Sequence, residues 1–119
     1  MVKPLTVYKA SAGSGKTFTL ATEYIRLLVE NPQSYRTILA VTFTNKATEE
    51  MKMRILSQLY GIAHQLPDSD GYLRAIQERT GFEPQFISER AGIALNNLLN
   101  NYNYFRVAWK PASWTSSFN

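Results

Sequence analysis

Hydrophobic positions in the first 60 residues switch between strand-like runs and a helical period. Residues 5–8 form a short β-prone run before a glycine-containing turn, and residues 16–30 carry apolar side chains at helical spacing. Residues 37–43 form a mostly apolar run of strand length, which is typical of a parallel strand buried on both faces. This order of strand, turn, helix and strand predicts an α/β fold that opens with a βαβ unit of right-handed crossover.

The rest of the chain is predicted to be mainly helical. Thr44 or Asn45 can cap a second helix, in which Glu50 and Arg54 are spaced as an i,i+4 ion pair. A short helix is expected at residues 72–79. A longer one is expected from Glu83-Pro84, and a strand-like run follows at residues 104–107.

Composition narrows the function classes. The 119 residues are enough for one small domain, and 45% of them are apolar, so a core can form. The absence of cysteine excludes a disulfide scaffold, a cysteine zinc site and thiol catalysis, and the single histidine, His64, cannot build a metal centre alone. The sequence contains neither a signal-peptide pattern nor an apolar run long enough to span a bilayer. We therefore expect a soluble, cytoplasmic protein without a membrane partner.

The charge pattern is less informative. The net charge of +4 fits contact with nucleic acid or nucleotide phosphates. The 13 basic residues are spread along the chain, however, and a solvated basic surface explains the charge equally well.

The most specific pattern matches the Walker A phosphate-binding loop. The matching residues are Ala10, Ser11, Ala12, Gly13, Ser14, Gly15, Lys16 and Thr17. Only Ala10 departs from the strict pattern, which has glycine there. Small residues let successive backbone N–H groups converge on phosphate oxygens, Lys16 can reach the β- and γ-phosphates, and the Thr17 hydroxyl can ligate Mg²⁺. We predict that ATP and Mg²⁺ bind here, with Lys16 and Thr17 as the catalytic candidates. A glycine-rich turn with an exposed lysine is the structural alternative.

Residues 42–47, Thr-Phe-Thr-Asn-Lys-Ala, would on their own be interpreted as a strand end and a helix cap. Residues 8–20 and residues 38–51, which include this second motif, together resemble superfamily 1 DNA helicases of the UvrD/RecB type. The form of the phosphate-binding motif is most similar to RecB and AddA helicase–nucleases. The resemblance implies that Phe43 contacts a base of single-stranded DNA and that Thr44 and Asn45 bond to its phosphates. A core position for Phe43 is the alternative.

The resemblance also implies a domain organisation. Residues 1–107 would form part of a RecA-like helicase motor domain, with both motifs within residues 1–60 and a helical insertion at residues 61–102. Residues 108–119 depart from the family sequence, and we expect a truncated or frameshifted gene, with a diverged natural tail as the alternative. In the complete motor domain the strands before the two motifs are not neighbours. This chain would therefore pair its strands differently or leave open sheet edges that favour self-association.

The expected function is that of the ATP-binding amino-terminal segment of an ATP-dependent DNA helicase or helicase–nuclease of DNA repair or recombination. It is expected to be catalytically incomplete, because the family uses an Asp-Glu pair after an apolar strand to hold Mg²⁺ and activate water, and this sequence has no such pair. A small P-loop kinase or phosphotransferase is an alternative from another class, although no arginine-rich lid is evident. A non-enzymatic nucleotide-binding fragment is the third hypothesis. ATP turnover stimulated by single-stranded DNA would identify an intact motor.

Overall fold

The computed structural model describes the backbone of residues 9–10, 14–42 and 45–109. Side chains are described for residues 17–40, 46–105 and 107. In chain order the elements are β1 (Lys9–Ala10), α1 (Ser14–Glu30), a first 3₁₀ helix (Pro32–Arg36), β2 (Leu39–Thr42), α2 (Asn45–Ala63), a second 3₁₀ helix (Pro67–Ser69), α3 (Asp70–Thr80), α4 (Pro84–Asn100), a third 3₁₀ helix (Tyr102–Tyr104) and β3 (Arg106–Trp109).

The three short strands are parallel and lie in the order β1-β2-β3. Ala10 pairs with Thr42 in β2, and Thr42 pairs with Trp109 in β3. The strands that precede the two motifs are therefore direct neighbours. This pairing differs from the one that the resemblance implies for a complete motor domain.

The prediction of an α/β fold with a P-loop NTPase-like βαβ start is wrong, because the described chain is predominantly helical. The α-helices have 17, 19, 11 and 17 residues, whereas the strands have two, four and four. The backbone N–H and the hydroxyl of Thr37 donate to the Ser34 carbonyl at 2.8 and 3.1 Å. Thr37 therefore belongs to the end of the first 3₁₀ helix and not to the strand predicted at residues 37–43. As a result, β2 begins only at Leu39. The predicted strand at residues 5–8 lies outside the described residues.

The predicted helices are present, with small differences at their ends. α1 begins at Ser14, slightly before the expected start near Lys16. α4 begins at Pro84 as predicted, because proline at the first helical position has no N–H to leave unsatisfied. α2 continues through Gly61 to Ala63.

The core lies where the four helices pack against one another and against β2 and β3. Each helix turns one apolar stripe inward at the three- and four-residue spacing that places side chains on one face. The largest fully buried side chains are those of Leu20, Tyr24, Ile25, Leu28, Ile38, Met51, Ile55, Leu59, Ile62, Ile76, Ile87 and Leu98. None of the described helices is long and apolar enough to cross a membrane.

α4 holds the carboxyl end of α1 through polar contacts. The Arg90 guanidinium donates to the carbonyls of Val29 and Glu30, each at 3.0 Å. The Asn97 amide donates to the Pro32 carbonyl at 2.9 Å. The last carbonyls of a helix have no intrahelical partner and carry negative partial charge, so a cation there stabilises the helix end.

An ion-pair network connects α1 to α3. Within α1, Arg26 bonds to Glu23 at 2.8 Å and to Glu30 at 2.7 Å. From α3, the Arg79 guanidinium contacts the other carboxylate oxygen of Glu23 at 2.9 Å. The hydrogen bond to Glu23 raises the pKa of Arg26 above its ordinary value, although partial burial opposes the shift.

Candidate nucleotide and DNA site

The carboxyl ends of β1 and β2 bring the starts of the two sequence motifs together. Ala10, the first residue of the phosphate-binding motif, pairs with Thr42, the first residue of the second motif. Adjacent strands are about 4.8 Å apart, so the two backbones are neighbours at one edge of the sheet. α1 begins at Ser14 and α2 at Asn45, a few residues beyond the strand ends. Both helices therefore start from this edge.

The structure describes part of the predicted phosphate site. Ala10 ends β1, and Ser14, Gly15, Lys16 and Thr17 form the first turn of α1. Residues 11–13 lie outside the described residues, as does the Lys16 side chain, while the Thr17 side chain is half-buried.

The first turn of α1 fits a phosphate group. The N–H groups of a helix's first turn have no intrahelical acceptor, and the helix dipole is positive at this end. Both features favour an anion, and a site that begins where a strand ends can direct these donors at phosphate oxygens. The contacts of Lys16 and Thr17 with ATP and Mg²⁺ stay a prediction.

The predicted DNA contacts are only partly described. Phe43 and Thr44 lie outside the described residues. Asn45 is the first residue of α2, in agreement with the predicted helix start, and its side chain is not among those described. The assignment of these three residues to single-stranded DNA stays a prediction.

A contact chain behind the phosphate site was missed by the sequence analysis. Phe18, the residue after Thr17, packs against Tyr72 of α3 with the ring centroids 4.6 Å apart. The Tyr72 hydroxyl accepts a hydrogen bond of 3.1 Å from Arg54 of α2. The predicted ion pair of Arg54 with Glu50 does not form, although both side chains are described. The helical period of residues 72–79 was the only sequence signal at Tyr72, and it gave no indication of its partners.

Two open grooves lie on the described surface. The first has a volume of about 590 Å³ and is lined by Phe18, Gly71, Arg74, Ala75, Glu78 and Arg79. The second has a volume of about 630 Å³ and is lined by Glu49, Glu50, Met53, Arg54, Ser57 and Gln58. Phe18, which lines the first groove, directly follows Thr17 in the sequence.

Comparison with known proteins agrees with the resemblance seen in the sequence. The family model for the UvrD/REP helicase N-terminal domain matches residues 2–102. RecBCD enzyme subunit RecB of Chlamydia muridarum is 52% identical over 52 residues, which are 43% of this chain and 5% of that protein. RecBCD enzyme subunit RecB of Borreliella burgdorferi is 35% identical over 104 residues, or 87% of this chain and 9% of that protein. An ATP-dependent helicase/nuclease subunit of Thermoanaerobacter sp. is 46% identical over 61 residues, or 50% of this chain and 5% of that protein.

These relatives are much longer than the 119-residue chain, which spans 5% to 9% of their length. No solved structure matches the chain significantly.

Proposed function

Because the chain belongs to the UvrD/REP helicase N-terminal domain family, we propose that it binds Mg²⁺·ATP through residues 10–17 and single-stranded DNA through Phe43, Thr44 and Asn45. Its proposed role is that of the amino-terminal part of an ATP-dependent DNA helicase or helicase–nuclease in DNA repair or recombination. The relatives named as RecBCD enzyme subunit RecB and as an ATP-dependent helicase/nuclease support this role. In the proposed organisation, residues 61–102 are a helical insertion within residues 1–107.

The pairing of Ala10 with Thr42 carries the proposal. It brings the sequence proposed to bind phosphate and the sequence proposed to bind DNA to neighbouring strand ends. Two ligands that bind at neighbouring strand ends can affect each other's binding through the helices that start there. A kinase or phosphotransferase gives no reason for the second motif to be there.

The nucleotide would be bound through its phosphates. The first-turn N–H groups of α1 would bond to phosphate oxygens, the Lys16 ammonium would neutralise the β- and γ-phosphates, and the Thr17 hydroxyl would be one ligand of Mg²⁺. When bound, Mg²⁺ would offset the charge of the phosphate oxygens.

The DNA would be bound beside it. Phe43 would stack on a base, while Thr44 and Asn45 at the start of α2 would bond to backbone phosphates. Binding would be weak, because the chain offers one of the several motifs with which a complete motor of this family holds DNA. It would fall as salt rises, because salt competes with the phosphate contacts.

Titration calorimetry with Mg²⁺·ADP and with a slowly hydrolysed Mg²⁺·ATP analogue tests the proposal. Lys16→Ala should raise Kd about 10- to 100-fold, since a hydrogen bond to a charged group contributes about 1.5–3 kcal/mol. Lys52→Ala is the matched control, because it removes the same charge away from the candidate site. The Lys52 ammonium lies 5.3 Å from the Tyr102 ring centroid, and Tyr102 precedes the start of β3, whereas the site lies at the carboxyl ends of the strands. Equal affinity in the wild type and Lys16→Ala would contradict the proposal.

A further inference from the structure

Tyr72 of α3 contacts both helices that start at the candidate site. Its ring packs against Phe18, which directly follows the first turn of α1, with the centroids 4.6 Å apart and the planes tilted by 49°. Its hydroxyl accepts a hydrogen bond of 3.1 Å from Arg54 of α2. Tyr72 is only 6% exposed, so its ring has little freedom to move away from either partner.

Further contacts fix α3 to both helices. On the α1 side, Arg79 pairs with Glu23 at 2.9 Å. On the α2 side, Gly61 lies so close to Ser69 that a Cβ at position 61 would be 1.9 Å from the Ser69 hydroxyl oxygen. Ser69 precedes α3 directly and is buried, so the start of α3 is held against the end of α2. α3 therefore joins the two helices as a packed bridge.

The positions of the two contacts along α1 and α2 allow this bridge to transmit a movement from one helix to the other. Phe18 follows Thr17, the last residue of the phosphate-binding motif, so a shift of the first turn of α1 would press the Phe18 ring on Tyr72. Arg54 belongs to the helix that begins at Asn45, so a shift of Tyr72 would act on α2 through its hydroxyl. Packed interiors switch between discrete arrangements rather than deform smoothly, so such a shift can be transmitted.

We propose that Tyr72 is a positioning residue that couples nucleotide binding at the start of α1 to DNA binding at the start of α2. This inference rests on the proposed function, because it concerns the two ligands proposed to bind there. Its core is the chain of contacts from Phe18 through Tyr72 to Arg54.

Of the contacts from Phe18 through Tyr72 to Arg54, the hydrogen bond from Arg54 can be removed without removing a buried side chain. Arg54 is exposed, so the loss of its bond should leave the packing of the core intact. Tyr72→Phe removes the same bond from the other side and keeps the ring that contacts Phe18. A purely structural role for the bond would leave the mutual effect of the two ligands unchanged.

The experiment measures a coupling factor, which is the ratio of the oligothymidine Kd without nucleotide to the Kd with saturating Mg²⁺·ADP. Fluorescence anisotropy at low salt provides both values for the wild type, Tyr72→Phe, Arg54→Met and the double variant. Arg74→Met is the matched control, because Arg74 is exposed on α3 and has no hydrogen bond or ion pair to another described residue. Reciprocity requires the same factor when ADP is titrated with and without DNA.

We expect a wild-type factor that differs from 1 by at least about fivefold, the lower end of typical allosteric coupling. Each single variant should bring the factor close to 1, and the double variant should go no further, because both substitutions remove one bond. Arg74→Met should retain the wild-type factor. The inference is overturned if both ligands bind without affecting each other, or if Tyr72→Phe and Arg54→Met keep the wild-type factor.

Failure of the proposed function is distinguishable, because the wild type would then bind neither ligand. In that event, amide hydrogen exchange of the ligand-free protein still tests whether Tyr72 connects α2 to α1. Arg54→Met, a change on α2, should speed exchange of the amides of residues 18–21 in α1 by at least about threefold, whereas Arg74→Met should not. Unchanged exchange in Arg54→Met would overturn the inference on its own.

Discussion

Ala10 and Thr42 are partners on adjacent parallel strands, so the two motifs begin side by side although a helix and a turn separate them in the sequence. β2 lies in the middle of the sheet, and Thr42 also pairs with Trp109. The three strand ends thus form one edge, from which α1 and α2 start. This pairing is the reason why we propose a single site for the nucleotide and the DNA.

Gly61→Ala should destabilise the fold by about 1–3 kcal/mol, the usual cost of overpacking. The new Cβ would lie 1.9 Å from the Ser69 hydroxyl oxygen and 2.9 Å from the Ser69 Cβ. Rotation of the hydroxyl relieves the first contact but not the second, so the end of α2 has to move away from the start of α3. The free energy of unfolding from urea titration measures the effect.

Gly71→Ala is the control for Gly61→Ala. Gly71 lies in α3, and a Cβ there would meet no atom within 4 Å. Because alanine restricts the unfolded chain more than glycine does, this variant should be more stable by about 0.4–1 kcal/mol. Equal effects of the two substitutions would contradict the close approach of Gly61 to Ser69.

Arg90→Met should lower the free energy of unfolding by about 1–3 kcal/mol, because it removes two charge-assisted hydrogen bonds to the last carbonyls of α1. Methionine retains much of the aliphatic stem, so the loss reflects the guanidinium. Arg74→Met, at an exposed position on α3, should change the stability by less than about 0.5 kcal/mol. If urea unfolding shows the same stability for both variants, Arg90 does not hold the end of α1.

Phe43→Ala should weaken binding to labelled oligothymidine at low salt by the loss of one stacked base, about 1–3 kcal/mol. Tyr102→Ala is the control, because it removes an aromatic side chain that is 48% exposed. Tyr102 lies before the start of β3 and so away from the carboxyl ends of the strands, where the DNA is proposed to bind. Anisotropy should show a loss of affinity for Phe43→Ala alone. Unchanged affinity in Phe43→Ala would mean that Phe43 is a core residue or a bystander and that the DNA contact is only one of charge.

The 119-residue chain should hydrolyse ATP far more slowly than about 1 s⁻¹, an ordinary enzymatic rate, with or without single-stranded DNA. The reason is chemical: the sequence has no Asp-Glu pair after an apolar strand to hold Mg²⁺ and orient water. A phosphate-release assay measures this. Turnover near that rate that disappears in Lys16→Ala would disprove the prediction.

The helices could be predicted because their signals are local. The apolar period of α1 and Pro84 at the start of α4 depend on neighbouring residues only, and they gave nearly correct boundaries. The fold class could not be predicted in the same way. The apolar run at residues 37–43 has strand composition, but the bonds from Thr37 to Ser34 shorten it, and helices form most of the core.

The sequence allowed a candidate site to be assigned only where its motifs are contiguous, and the ligands assigned to that site stay a prediction. The phosphate-binding pattern from Ala10 to Thr17 has a fixed spacing, so it can be recognised without a structure. The partners of Tyr72 could not be predicted, because Phe18 and Arg54 come from other helices and helical spacing does not specify what a buried face meets. The i,i+4 spacing of Glu50 and Arg54 even indicated a different partner for Arg54.

Energy transfer from a tryptophan to a fluorescent nucleotide tests most directly whether the nucleotide binds at this edge of the sheet. Trp114→Phe leaves Trp109 as the single tryptophan, and two strand spacings place its backbone about 10 Å from that of Ala10. Titration with N-methylanthraniloyl-ADP and Mg²⁺ should quench Trp109 and sensitise the nucleotide's emission, and Lys16→Ala should remove both changes at the same concentrations. Nucleotide binding seen by anisotropy without energy transfer, or transfer that is equal in Lys16→Ala, would contradict the account.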